Sequence, residues 1–209
     1  MSTKVWTKID RTEFGLKDLL YLDPCFYYLV HTSEGYGVPS NSRIKNFKHE
    51  PERFRNNAAV WKHKTEAIED FAQDVAEWLS AVNMAGGWGN VALVPMPTSK
   101  PSSHEFFDSR LVDLCNRVAQ LDPRVRVENI LDMSEAVTGS HKGGSRDVGF
   151  LKSKIIVRKP SRPLGVVILV DDMVTTGSHY VASSERLRET FFGIGLVGLF
   201  LSRHREKPE

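Results

Sequence analysis

Apolar positions along the chain follow two rhythms. Short continuous runs, Val91-Ala92-Leu93-Val94, Val166-Val167-Ile168-Leu169-Val170 and Leu196-Val197-Gly198-Leu199-Phe200-Leu201, are separated by stretches whose apolar residues return every third or fourth position. Runs this short and rich in β-branched residues suit strands covered on both faces, as in a parallel sheet. The other spacing places one apolar stripe along a helix. It predicts helices through Ala67, Ile68, Phe71, Val75, Trp78, Leu79 and Val82, through Leu111, Leu114, Cys115, Val118 and Leu121, and through Val181, Leu187 and Phe191. Breakers follow each of them: Gly86-Gly87-Trp88-Gly89, Asp122-Pro123, and Gly193 with Gly195. Val125 to Leu131 alternates apolar and polar, which predicts a further strand. Strand and helix alternate from Val91 onward, so the expected fold class is α/β, a doubly wound parallel sheet over residues 86–209. A smaller N-terminal hood with the first amphipathic helix is expected over residues 1–85.

The hood is less regular. Leu19-Leu20-Tyr21-Leu22 and Phe26-Tyr27-Tyr28-Leu29-Val30 are separated by Asp23-Pro24, which breaks any continuous helix and leaves short strands or a strand and a turn. The aromatics read as core packing rather than a base-stacking platform. Arg43, Lys45, Lys48, Arg53, Arg55, Lys62 and Lys64 make a basic tract, for the most part a solvated helical face. Lys152, Lys154, Arg158, Lys159 and Arg162 are a second, expected along a solvated edge. The tail from Ser202 to Glu209 is polar and expected to fray.

Composition changes this picture little. The 209 residues suffice for a real core, and a net charge of +2 argues against a uniformly basic nucleic-acid-binding surface. Cys25 and Cys115 match no metal-ligand spacing and are expected to be reduced core thiols. With neither a secretory leader pattern nor an apolar run of about 18 residues, the expected location is the cytoplasm, away from membranes.

The chemistry concentrates between Leu164 and Ser178. The apolar run is expected to end at Val170, followed by Asp171 and Asp172, then Met173, Val174, Thr175, Thr176, Gly177 and Ser178, then a helix. In open α/β sheets, ligands bind outside the carboxyl ends of strands. A helix N-terminus adds unpaired N–H groups and roughly half a positive charge, which favours a phosphate. Gly177 permits close backbone approach, and Thr175, Thr176 and Ser178 supply hydroxyl donors. The carboxylates offer acceptors for vicinal sugar hydroxyls and charge for a hydrated Mg²⁺. A plain helix cap needs one such residue, whereas this string supplies several in order.

The string Val-Val-Ile-Leu-Val-Asp-Asp-Met-Val-Thr-Thr-Gly-Ser resembles the phosphoribosyl pyrophosphate (PRPP) motif of type I phosphoribosyltransferases. Ile44-Lys45-Asn46-Phe47-Lys48 resembles the hydrophobic-Lys segment of the competence-protein F type (amidophosphoribosyltransferase-like) branch, whose zinc-ribbon cysteines are missing here. The resemblance implies transfer of ribose 5-phosphate from PRPP to a nitrogen acceptor, base or amine, with Mg²⁺-assisted release of pyrophosphate. It implies that Asp171, Asp172, Met173, Val174, Thr175, Thr176, Gly177 and Ser178 hold the ribose 5-phosphate. Mg²⁺ would arrive on PRPP, with Asp171 and Asp172 as the protein groups nearest to it. Thr98, Ser99 and Lys100, in Pro95-Met96-Pro97-Thr98-Ser99-Lys100, correspond to the pyrophosphate loop. Lys142 and Arg146 lie in the glycine-rich stretch that matches the family's flexible hood loop, so that Asp171, Asp172, Arg146 and Lys100 are the candidate catalytic residues. Where the branch has Arg-Gly-Phe-Asn, this chain has His104-Glu105-Phe106-Phe107-Asp108. Family members often pair, which leaves a homodimer open here. A non-catalytic PRPP or nucleotide sensor acting on nucleic acid or a partner is the alternative of a different class, because one fold hosts both roles.

Overall fold

A computed structural model describes residues 6–10, 23–32, 39–54, 56–82, 91–138 and 147–204. Among them the strands are β1 (Thr7–Lys8), β2 (Cys25–His31), β3 (Val91–Pro95), β4 (Arg126–Val127), β5 (Leu131–Met133), β6 (Ile155–Val157), β7 (Val166–Val174) and β8 (Gly195–His204). The helices are α1 (Pro39–Phe47), α2 (Pro51–Phe54), α3 (Ala58–Ala81), α4 (Arg110–Leu121), α5 (Val148–Lys154) and α6 (Ser178–Thr190). Six strands form one sheet in the order β1-β2-β8-β7-β3-β4, parallel throughout except for β1 against β2. β5 and β6 make a separate antiparallel pair.

Strict alternation along the central strands sends successive side chains to opposite layers. Val91, Leu93, Ile168 and Val170 pack with Ile44 and Phe47 of α1, Phe71, Val75 and Leu79 of α3, and Leu114 and Val118 of α4. Ala92, Val94, Val167 and Leu169 pack on the other face with Leu151 of α5 and with Tyr180, Ala182 and Leu187 of α6. Helices therefore cover both faces, which is the doubly wound arrangement expected from the apolar runs. Cys25 and Cys115 are buried free thiols, and burial pushes Cys25 up to about 12.

Several boundaries differ from expectation. β7 continues through Asp171 and Asp172, because Asp171, Met173 and Val174 pair with Phe200, Ser202 and Arg203 of β8. The acids thus belong to the ladder and do not follow it. β8 takes in Ser202, Arg203 and His204, where a frayed tail was expected, and Ser202 and Arg203 are buried. Val125 to Leu131 is not one strand: after β4 the backbone N–H of Glu128 donates to Leu93 O, while its buried carboxylate accepts from Arg126 and Ser161. The chain then enters β5 in the other sheet. α5 was not anticipated; its first turn is capped by Asp147, whose Oδ1 accepts from Phe150 N at 2.7 Å. α3 starts at Ala58, with Asn57 Oδ1 capping Val60 N, upstream of the first apolar position used to predict it. The expected division near residue 86 falls outside the described residues. On either side of it, β2 and α3 share a sheet and a core with β7 and β8.

β3 connects through α4 to β4 on one face, and β7 connects through α6 to β8 on the other. The winding direction therefore reverses between β3 and β7. This is the crevice at which open α/β sheets take ligands.

One glycine in the sheet is fixed by contact. A Cβ on Gly198 would lie 2.6 Å from Cys25 Sγ and 2.9 Å from Tyr180 Cε2. Gly198→Ala should therefore cost about 1–3 kcal/mol through overpacking. Urea denaturation measures this, and an unchanged midpoint would contradict the packing described.

Candidate functional site at the reversal of the sheet

The reversal point is bordered by the loop leaving β3 and the turn leaving β7, with Met96 N donating to Val170 O at 2.9 Å between them. At the end of β7, Thr175 and Thr176 are half-buried and Gly177 has φ 88, a left-handed conformation at the N-cap of α6. Only glycine adopts this readily, and it turns the chain from strand into helix, with Gly177 itself buried. Thr176 Oγ1 and Ser178 Oγ are 2.7 Å apart, so the hydroxyls lie at one point over the first turn of α6. Ser178 itself is buried. Val174 points into the core, whereas Met173 is half-buried against the opposite layer.

The pleat separates the two acids. Asp171 keeps 13% of its side chain exposed, accepts from Asp172 N at 2.8 Å through Oδ1, and has His179 Nδ1 3.5 Å from Oδ2. Asp172 faces the layer of α1, α3 and α4. Its Oδ1 accepts from Lys48 Nζ at 3.0 Å, and its Oδ2 from Arg110 Nε at 3.0 Å and Nη2 at 2.5 Å. Arg110 also binds Asp108, which accepts from Lys64 Nζ at 2.7 Å; Lys64 in turn donates to His49 O at 2.6 Å. Burial alone would push the Asp172 carboxyl up. The charges and hydrogen bonds of Lys48 and Arg110 outweigh this and hold it below the ordinary carboxylate range.

The loop after β3 is equally engaged. Thr98 Oγ1 donates to Lys100 O at 3.3 Å, and Ser99 O accepts from Val137 N at 2.8 Å. Lys100 reaches Glu52 of α2 at 2.5 Å and lies 5.3 Å from the Phe106 ring centroid. Beside it, Asp132 accepts from Ser102 N at 2.9 Å and from Arg158 Nη2 at 2.5 Å. His31 and His204 meet on neighbouring strands at the same edge of the sheet, with their Nδ1 atoms 3.0 Å apart. Burial, then the neighbouring His204, Lys45 and Lys48, lowers the pKa of His31.

The structure thus brings Asp171, Thr175, Thr176, Gly177 and Ser178 together and sets Thr98, Ser99 and Lys100 on the adjoining loop. Asp172 lies beneath, held by cations. Lys142 and Arg146 lie outside the described residues. Sequence reading missed Arg110, Asp108 and His179. Arg110 opens α4 at the end of an apolar pattern and carries no signal, while His179 directly follows the motif and was readable as a neighbour of it. The donor set does not fit a resident metal ion at Asp172, where Lys48 and Arg110 already neutralise the carboxylate. Among the described residues there is no cluster of three or more His, Cys, Asp or Glu side chains suited to a metal. No helix among the described residues is long and apolar enough to cross a membrane.

No protein-family model matches the chain, and no curated protein does. Among solved structures, the chain is similar to a hypoxanthine phosphoribosyltransferase from Staphylococcus aureus, with 12% identity and a TM-score of 0.38, over 68% of this chain and 64% of that one. It spans less than two thirds of that protein's length. It is also similar to the adenine phosphoribosyltransferase of Leishmania tarentolae, with 13% identity and a TM-score of 0.40, over 91% of this chain and 94% of that one. The adenine phosphoribosyltransferase of Leishmania donovani is similar at 12% identity and a TM-score of 0.36, over 85% of this chain and 83% of that one.

Proposed function

We propose that this chain is a phosphoribosyltransferase that transfers the 5-phosphoribosyl group of PRPP to a nitrogen acceptor and releases pyrophosphate. The observation that carries the reading is the turn from Thr175 to Ser178. Its paired hydroxyls and the left-handed N-cap Gly177 lead into a helix at the reversal of the sheet, with Asp171 alongside. A phosphate seated there meets backbone N–H groups and the positive end of α6. Asp171 is the acid on the accessible side and accepts from a ribose hydroxyl. Lys100 and the loop of Thr98 and Ser99 face the leaving pyrophosphate, with Lys142 and Arg146 as further cations from the glycine-rich stretch.

Mg²⁺ would come with PRPP as part of the substrate and would supply charge neutralisation for the departing pyrophosphate. The chain's own residues bind, orient and exclude water. No covalent enzyme intermediate is needed, since displacement at ribose C1 gains from positioning and from stabilising developing charge. The acceptor class is a base or an amine. The segment at His104 to Asp108 differs from the Arg-Gly-Phe-Asn of the competence-protein F pattern.

Two variants test the reading by calorimetric titration with ribose 5-phosphate and with Mg-PRPP. Gly177→Asp should abolish binding of both, because the new carboxylate occupies the anion site and strains a backbone at φ 88. Asp171→Asn keeps an oxygen for the backbone N–H of Asp172 but removes the charge, and should weaken PRPP roughly tenfold through loss of a charge-assisted hydrogen bond. Unaltered affinity in both variants would reject the site. Pyrophosphate release across purine, pyrimidine, nicotinate-like and amine acceptors then reports the reaction, and tight binding without release from any of them would indicate a sensor.

A further inference from the structure

Lys64, Asp108, Arg110, Asp172 and Lys48 form one continuous line of ion pairs, three cations to two carboxylates. Lys64, Asp108 and Asp172 are buried and the Arg110 side chain is 14% exposed, but the Lys48 side chain is 32% exposed. The surplus positive charge therefore emerges at Lys48, the end that water reaches. The same charge contributes to lowering the pKa of His31 nearby.

The two cations on Asp172 do not share an oxygen. Arg110 takes Oδ2 through two donors, whereas Lys48 alone takes Oδ1. Arg110 can keep the carboxylate ionised if Lys48 departs. The chain around Lys48 also follows the crevice. His49 O is fixed by Lys64, and Glu52 binds Lys100 on the loop after β3. The segment from Lys48 to Glu52 thus runs from the carboxylate on β7 to the loop on β3, with an ammonium at either side.

We propose that Lys48 is a substrate-contacting residue whose ammonium holds, on Asp172 Oδ1, the position of a ribose hydroxyl and moves to the pyrophosphate when that hydroxyl arrives. This rests on the PRPP reading above. The exchange conserves charge pairing: Lys48 leaves a carboxylate for a phosphate oxygen, and Oδ1 accepts from the hydroxyl in its place. A sugar phosphate lacking pyrophosphate must displace Lys48 without offering it a new partner, so Lys48 opposes that ligand and favours PRPP.

Calorimetric titration of wild type and Lys48→Met with ribose 5-phosphate and Mg-PRPP separates the outcomes. Lys48→Met should bind PRPP roughly tenfold or more weakly, the loss of one charge-assisted contact, while ribose 5-phosphate binds at least as tightly as to wild type. Lys48→Arg should recover part of the PRPP affinity. Lys48→Gln, which keeps a donor for Asp172 without the charge, should show the same contrast should the methionine variant fold poorly. Equal weakening of both ligands would mean a structural role and overturn the inference, as would unchanged PRPP affinity. If wild type binds neither ligand, the PRPP reading falls and takes this inference with it; if wild type binds both and only the contrast is absent, this inference alone fails.

Discussion

A carboxylate removed from water survives as a charge only where cations are fixed beside it, and Asp172 is the point at which the chain meets that condition. Arg110 brings α4 to the end of β7, and Lys48 brings the end of α1. Arg110 continues to Asp108, whose partner Lys64 lies on α3. Among the described residues, α1, α3 and α4 on that face of the sheet are thereby referred to one strand end. Removing Arg110, Asp108 or Lys64 from this set typically costs about 3–5 kcal/mol, because the remaining charges stay buried without a partner; Lys48, the exposed end, is the member that can leave. Apolar packing gives that layer most of its cohesion; the ion pairs fix its register.

The pleat of β7 turns two adjacent acids to different uses. Asp172 is directed inward to the frame, and Asp171 keeps a small part of its carboxylate exposed beside His179 and the first turn of α6. Because β7 continues through both acids, the turn at Gly177 starts from a strand still hydrogen-bonded to β8. The hydroxyl cluster is therefore held by the sheet rather than by a free loop. Under the proposed function this is preorganisation: the phosphate is placed by rigid backbone, and the cations around it, Lys48 and Lys100, are the parts that can rearrange.

The architecture was largely legible because it depends on periodicity. Val91 to Val94 and Val166 to Val170 suited covered strands, and both lie in strands of the central sheet. The turn from Thr175 to Ser178 was legible because its chemistry is local in sequence. The fate of Asp172 was not, since Lys48 and Arg110 stand 124 and 62 residues away; Lys48 was marked only by its resemblance to a hydrophobic-Lys segment, and Arg110 by nothing. For the same reason Ser202 and Arg203 read as a polar tail: polarity suggests solvent, and only pairing with β2 and β7 shows that they are interior. The split of Val125 to Leu131 is a further case, in which Glu128, a polar residue in an alternating pattern, is turned inward by Arg126 and Ser161.

The pairing of β2 with β8 also governs the order of assembly. His31 and His204, opposed across those strands, are 173 residues apart. At ribosomal rates of about 5–20 residues per second, the first strand therefore waits on the order of ten seconds or more for its neighbour to emerge. Contacts of such long range close late and slow the final collapse. Until then Phe26 and Tyr28 have their earlier partners, Trp78 and Trp6, and the backbone of the early strand lacks its parallel neighbour.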